Sequence, residues 1–194
     1  IEDFQLGEAE RVLYDFIWND FADWYIELAK IRLRTGDEEP RKVLGHVLER
    51  VLRLLHPFMP FVTEEIWQKL LSILPNEANL PASIMIASYP NPKARLSNEE
   101  LEKRRLAEQD SVNLIEVLIE LIRAIRNIRA EFKIDPRTLI NANIISGDSI
   151  QDLPDQSDAI KALARVDSLS FSPNKASNTI KLVIRDILVT LDLG

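Results

Sequence analysis

The chain contains no cysteine and only two histidines, His46 and His56, in 194 residues. The first absence excludes disulfides and thiolate metal sites, and the second makes any histidine site depend on many carboxylate co-ligands. Neither a metal site nor structural zinc is expected. No apolar run reaches the ~18 residues of a membrane-spanning helix, because charges interrupt every hydrophobic segment within a few positions. Nothing resembles a secretion signal, so the expectation is a soluble cytoplasmic chain with no membrane partner. A P-loop, a dinucleotide fingerprint, a metal-binding helix motif and a nucleophile-base arrangement are all missing. No catalytic residue is therefore assigned. The chain opens on Ile1 in mid-pattern, which gives the expectation of an excised fragment.

What is present suits a folded protein. Hydrophobic residues make up 46% and charged residues 28%, enough to bury a core in one medium domain or a domain with an appendage. The net charge of -7 argues against a general polycation, although a local basic stripe can still engage nucleic acid.

From Glu8 to Arg34 apolar residues recur every three or four positions, predicting an amphipathic helix. Tyr14, Trp18, Phe21 and Tyr25 add a second stripe, so the apolar arc is wide. Asp37, Glu38 and Glu39 before Pro40 predict the start of a second helix, with negative charge and proline both near its amino end. That helix carries Val43, Leu44, Val47, Leu48, Val51, Leu52 and Leu55 on one face. In "LHPFMPFVTEEIWQ", Pro57 cannot continue a helix while Pro60 is suited to begin one. The expected result is a sharp helix-helix turn with Phe58, Met59 and Phe61 held in the core.

Four prolines between Pro75 and Pro92, with a β-like run "SIMIASYP", predict an ordered crossover. Ser97 and Glu100 make a capping box that opens a long helix to about Lys133, with a break near Gln109 to Ser111 as the alternative. Beyond Pro136 the pattern reads as short strands in "TLINANIIS" and "SLSFS", a helix from Gln156 to Val166, and a hairpin turning near Arg185 and Asp186. The fold class expected is mainly α: a helical bundle over residues 1–136 followed by a small α+β segment over 137–194.

Arg123, Arg126, Arg129, Lys133 and Arg137 step by three or four, which at 100° per residue puts them on one helix face. Leu121, Ile125, Ile128 and Phe132 centre on a neighbouring face, with Glu116, Glu120 and Glu131 on the far side from it. The functional reading is a row of cations tracking a phosphate backbone. A solvated face with ion pairs is the alternative. Trp18 with Asn19 and Asp20 could edge a base-stacking surface, whereas core packing is the expectation for Phe16, Phe21 and Trp24. Asp20, Asp23 and Glu27 read as a solvated face, not as a metal or acid-base set. Structural roles are expected for His46 and His56.

Three segments, "YDFIWNDFADWYIELAK", "LLHPFMPFVTEEIWQKL" and "IRAIRNIRAEFKI", together resemble the carboxyl-terminal region of the valyl-tRNA synthetases, which belong to class I. The element "HPFMPFVTEEIW" is similar to the helical anticodon-binding domain shared with the isoleucine and leucine enzymes. The resemblance is strong from Ile1 to about Pro136 and weaker from Arg137 to Gly194. It implies a class Ia anticodon-binding helical bundle and a partner, the anticodon stem and loop of tRNA(Val). It also implies a parent enzyme that ligates valine to that tRNA with ATP and Mg²⁺ and hydrolyses mischarged threonine, which an apolar pocket rejects poorly.

The H-I-G-H-like and K-M-S-K-S-like motifs of amino-acid activation are missing, so the expectation is a noncatalytic chain with no cofactor of its own. The family's first bundle helix, upstream of Ile1, and the coiled-coil arm after the end also fall outside. The resemblance thus predicts an exposed apolar groove, contact with the rest of the synthetase, and dimerisation of the fragment. Arg123, Arg126, Arg129 and Lys133 are the candidate phosphate contacts, and Trp18 with Asn19 the candidate edge of a base-reading surface. Competing readings are the same module from an isoleucyl or leucyl enzyme, or a structural protein-interaction bundle.

Overall fold

The computed structural model describes residues 6–73, 80–91, 97–145, 152–172 and 180–192. It divides into two compact units between Ser97 and Asn98. No helix among the described residues is long and apolar enough to cross a membrane.

The first unit begins with a helical rod over residues 6–34. It comprises α1 (Leu6–Asp15), a π-helical stretch (Phe16–Tyr25) and α2 (Ile26–Arg34). The wider turn shows in the Ile26 amide, which bonds to the Phe21 carbonyl five residues back. Residues five apart lie about 140° apart on an α-helix at 100° per residue. In the π stretch Phe16 and Phe21 nevertheless stack, with ring centroids 6.4 Å apart. Phe21 and Trp24 are buried as expected, but Phe16 is 40% exposed, contrary to its expected core role.

Gly36 ends the rod at φ 87°. Its amide bonds to the Leu33 carbonyl and the Asp37 amide to the Arg32 carbonyl, each at 3.2 Å, forming a Schellman cap. Helix α3 (Glu39–Leu55) follows, as the acidic run and Pro40 predict. The Asp37 carboxylate accepts from the Glu39 amide at 3.0 Å.

Pro60 opens α4 (Pro60–Ile73). The turn before it is pinned by His56, whose Nδ1 lies 2.8 Å from Thr63 Oγ1. The Thr63 hydroxyl also lies 2.8 Å from the Met59 carbonyl and 3.1 Å from that of Pro60. The core takes Thr63, Trp67 and Leu70 from α4, at spacings of four and three. The expected burial of the turn's apolar residues is corrected for two of the three: Phe58 is half-buried, whereas Met59, before the helix, is 47% exposed and Phe61 is 88% exposed, off the face that Thr63, Trp67 and Leu70 turn inward. Trp67 packs with Leu52, Leu70 and Ile84.

The run "SIMIASYP" is not a strand. Ile84–Ile86 forms one 3₁₀ turn, capped by Ser83 Oγ accepting from the Met85 amide. Glu64 fixes it by accepting from Ser83 Oγ at 2.9 Å and from the Ile84 amide at 3.1 Å. These side-chain bonds replace the ladder partners that a strand would need. Pro75 and Pro92, part of the expected crossover, lie outside the described residues.

In the second unit α5 (Asn98–Glu131) runs unbroken for 34 residues, so the break near Gln109 is absent. Val117, Leu118, Leu121, Ile122 and Ile125 are fully buried on one face. This face packs against α6 (Ser157–Ala164) and β3 (Ile180–Ile184). With β1 (Ile140–Ile145), β2 (Val166–Phe171) and β4 (Ile187–Asp192), β3 makes a sheet of order β2-β1-β4-β3. Only β1 and β2 are parallel, the arrangement that a crossover helix such as α6 permits. Alternation puts Ile140, Ala142 and Ile144 inside. On the opposite face Ser168 and Ser170 donate to Asn141 and Asn143 at 2.6 and 2.8 Å. The β3-β4 turn falls at Arg185 and Asp186, where the sequence pattern put it. All the strands among the described residues lie after residue 136, yet the compact units divide at Ser97 because α5 folds with the sheet.

Candidate nucleic-acid interface

The basic residues of α5 do not form one helical stripe of five. The helix ends at Glu131, where the Lys133 amide bonds to the Ala130 carbonyl at 3.1 Å and the Ile134 amide to the Arg129 carbonyl at 2.9 Å. This is a second Schellman cap, in which Lys133 holds the left-handed position at φ 51°. Arg123, Arg126 and Arg129 are therefore on the helix, whereas Lys133 and Arg137 lie past it. A side chain at that φ costs roughly 1–2 kcal/mol relative to the right-handed region.

Arg129 is only 7% exposed. Its Nη1 donates to the Arg165 carbonyl at 3.3 Å, and its Nη2 to the Thr138 and Asp135 carbonyls at 2.7 and 3.1 Å. It thereby joins the end of α5, the approach to β1 and the end of α6. Arg126 is exposed, with Nε bonded to the Leu163 carbonyl at 2.8 Å. Arg123, Lys133 and Arg137 are exposed as well. Of the four candidate phosphate contacts, three face solvent and Arg129 is buried in a backbone clamp.

Sequence reading missed Arg165. It ends α6 at φ 58°, its amide bonded to the Lys161 carbonyl. The Arg129 guanidinium bonds to its carbonyl, while the Arg129 backbone carbonyl takes the Ile134 amide next to Lys133, so one residue links the two left-handed positions. The available signal was a basic residue between a helical pattern and a strand pattern, where glycine is the usual left-handed terminator.

In the first unit, Trp18 is 58% and Tyr14 60% exposed. Their rings are nearly parallel at 7°, with centroids 6.2 Å apart. Asn19 beside them is exposed. Such a pair at the border of a π-helical stretch offers a flat apolar surface with an amide at its edge, suited to stacking an unpaired base. Asp20 and Asp23 are exposed, and Glu27 pairs with Lys30 at 2.5 Å. His46 is exposed, and His56 serves the α3-α4 turn.

A family profile described as the anticodon-binding domain of tRNA ligase matches residues 1–144. The chain belongs to this family. The match runs through both units, taking in the rod with Trp18 and all of α5. Among curated relatives, the valine–tRNA ligase of Dehalococcoides mccartyi strain CBDB1 is 42% identical over 178 residues, 91% of this chain and 19% of that protein. The valine–tRNA ligase of Anoxybacillus flavithermus is 48% identical over 132 residues, 66% of this chain and 13% of that protein. That of Nostoc sp. is 39% identical over 188 residues, 93% of this chain and 17% of that protein. The chain thus spans about a fifth of the length of the relatives that it matches most fully.

Proposed function

We propose that this chain is the tRNA-binding module of a valyl-tRNA synthetase and grips the anticodon stem and loop of tRNA(Val). The observation that carries the reading is an exposed cationic row on α5, Arg123 and Arg126 with Lys133 beyond the helix end, inside a match to an anticodon-binding domain. Cations so placed displace counterions from phosphates, which supplies affinity without reading sequence. Base reading belongs to the Tyr14-Trp18 stack with Asn19 at its edge. Arg129 acts by holding the corner in place. The chain carries no catalysis in this reading.

In this proposal the longer protein joins valine to tRNA(Val), as the name of its relatives supports; the use of ATP and Mg²⁺, the hydrolysis of mischarged tRNA and a cytoplasmic location are what the resemblance to the valyl-tRNA synthetases implies. The rest of that synthetase is the module's covalent partner. Among the described residues no three His, Asp or Glu side chains converge to hold a metal ion; Mg²⁺ belongs to the longer protein in this proposal. Phe61, Ile73, Met85 and Ile86 are each more than 70% exposed, which supports self-association of the isolated chain.

The test is binding to a tRNA(Val) transcript across a salt series, with Arg123→Gln/Arg126→Gln as the variant. Arg129 is left intact, since losing its clamp would confound the result. Binding that weakens steeply with salt and drops in the variant supports the reading. A folded chain that ignores the transcript at low salt but binds another protein favours the interaction bundle. Equal preference for an isoleucine or leucine tRNA would move the assignment to those enzymes.

A further inference from the structure

We infer that Lys133 and Arg165 form a phosphate-binding corner on the second unit, displayed in left-handed backbone positions that Arg129 holds together. The inference rests on the tRNA-binding reading and adds Arg165, a residue beyond the family match to 1–144.

Among the described residues three helices end on a left-handed residue, and they differ in what fills it. Gly36 closes α2, whereas Lys133 closes α5 at φ 51° and Arg165 closes α6 at φ 58°. Glycine is the unstrained choice at such a position. A helix-ending turn alone therefore does not require a long cationic side chain at either of the last two. Both are exposed, and among the described residues neither side chain has a hydrogen bond or ion-pair partner. They do not cap their helices through the side chain either.

The two positions are joined through one residue. The Arg129 carbonyl accepts from the Ile134 amide, next to Lys133, while Arg129 Nη1 donates to the Arg165 carbonyl. Arg126 stands beside them on the Leu163 carbonyl. Two helix C-termini would by themselves repel a phosphate, each carrying roughly half a negative charge. Arg126, Arg129, Lys133 and Arg165 outweigh that. The acidic neighbours in the chain are Glu131, Asp135 and Asp167, and the Asp135 carboxylate already accepts from the Arg137 amide at 2.7 Å. With Arg137, exposed two residues beyond Asp135, five cations face these three carboxylates and the two helix termini, a balance of about +1 in a chain whose total is -7, and a phosphodiester backbone is the polyanion that the proposed function brings to it.

Glycine at these two positions separates folding from binding, because it suits the left-handed backbone while removing the charge. The experiment compares the wild-type chain, Lys133→Gly/Arg165→Gly and Lys133→Gln/Arg165→Gln. Each is measured for Tm and for binding to two tRNA transcripts with different anticodons over a salt series. The expected result is an unchanged or raised Tm for the glycine pair. Both pairs should bind both transcripts several-fold more weakly, with the salt slope reduced by roughly 2, because each of the two cations neutralises about one phosphate. If the wild type binds and the glycine pair binds equally well, the corner is only a helix terminator and the broader reading stands. If the glutamine pair keeps full affinity while the glycine pair loses it, charge is not the cause and the inference fails. If the wild type binds neither transcript, the tRNA reading fails and this inference with it.

Discussion

Arg185 holds Glu120 in a two-pronged grip, Nε to Oε2 at 3.0 Å and Nη2 to Oε1 at 2.8 Å, across 65 residues of sequence. The same guanidinium reaches Asn113 Oδ1 at 2.8 Å and Glu116 at 3.4 Å. Arg185 sits at φ 54° in the β3-β4 turn, so a strained hairpin residue anchors the sheet to α5. A forked pair within a network is the kind of surface interaction that contributes to stability, and salt screens it. Arg185→Gly, which keeps the backbone comfortable, should therefore lower the Tm of the second unit at low salt and lower it less at high salt. Equal decreases at both salt concentrations would show that the grip is not electrostatic in origin.

Arg129 gives the larger prediction. Of its three carbonyl partners, those of Asp135 and Arg165 keep the Thr138 and Ile140 amides as donors, so the loss falls on the Thr138 carbonyl, where a missing donor costs up to roughly 1–3 kcal/mol, and on the packing of the buried side chain itself. Arg129→Met should destabilise the second unit by about 3 kcal/mol, read as a shift of its urea midpoint with little change in slope. A decrease under about 0.5 kcal/mol would mean that water replaces the guanidinium without penalty. This residue also shows where pattern reading stops. Periodicity placed Arg123, Arg126 and Arg129 on one helix, and they are on it. It could not show that the helix ends at Glu131, because Phe132 and Lys133 continue the apolar and basic spacing without a glycine or proline to interrupt. Nor could it show which arginine meets carbonyls from residues 135, 138 and 165, a matter of tertiary approach alone.

Glu64 contributes to the acid sensitivity of the first unit, together with Asp37 and Glu38, whose carboxyls are likewise held below the ordinary range by the Glu39 amide and by Arg41. Hydrogen bonds hold its carboxyl below the ordinary range, that from Gln68 first, with Ser83 and the Ile84 amide adding to it and the charge of His56 assisting, while desolvation opposes them. A pKa depressed by folding contributes stability that is present above the unfolded value, about 4.3, and is lost as pH falls through the folded value. The docking of the 3₁₀ turn on α4 should weaken below about pH 4.3. Glu64→Gln should lower stability at neutral pH and flatten the decline between about pH 5 and 3. If the variant and the wild type decline in parallel, other carboxylates carry the acid response.

Trp67 and Trp18 show how unevenly function and fold were legible. Both are tryptophans on helices with apolar neighbours, yet Trp67 is fully buried with Nε1 donating to the Pro81 carbonyl at 3.0 Å, and Trp18 stands in solvent. The apolar spacing of the first 34 residues fits an α-helix, and nothing in it announces the π-helical turns that stack Phe16 on Phe21. The family motifs carried the class of the fold, and the turn chemistry of Asp37, Pro40 and Pro60 located its helix starts. The conversion of "SIMIASYP" into a 3₁₀ turn depended on Glu64, 20 residues earlier in the chain.

The exposed Tyr14-Trp18 stack makes the last prediction, one that separates surface from core. Removing a half-exposed ring that rests on one neighbour should change stability little, within about 0.5 kcal/mol. Base-aromatic stacking is worth roughly 1–3 kcal/mol per base by alanine substitution, which is about 5- to 150-fold in affinity. Trp18→Ala should therefore weaken binding of an anticodon stem-loop by that factor while the Tm stays within a degree or two. Stacking adds little counterion release, so the salt slope should match the wild type, in contrast to the arginine variants. Trp18→Phe should recover part of the affinity, because a smaller π-face still stacks. If Trp18→Ala binds as the wild type does while Arg123→Gln/Arg126→Gln does not, the chain holds RNA through its phosphates and reads no base at this surface.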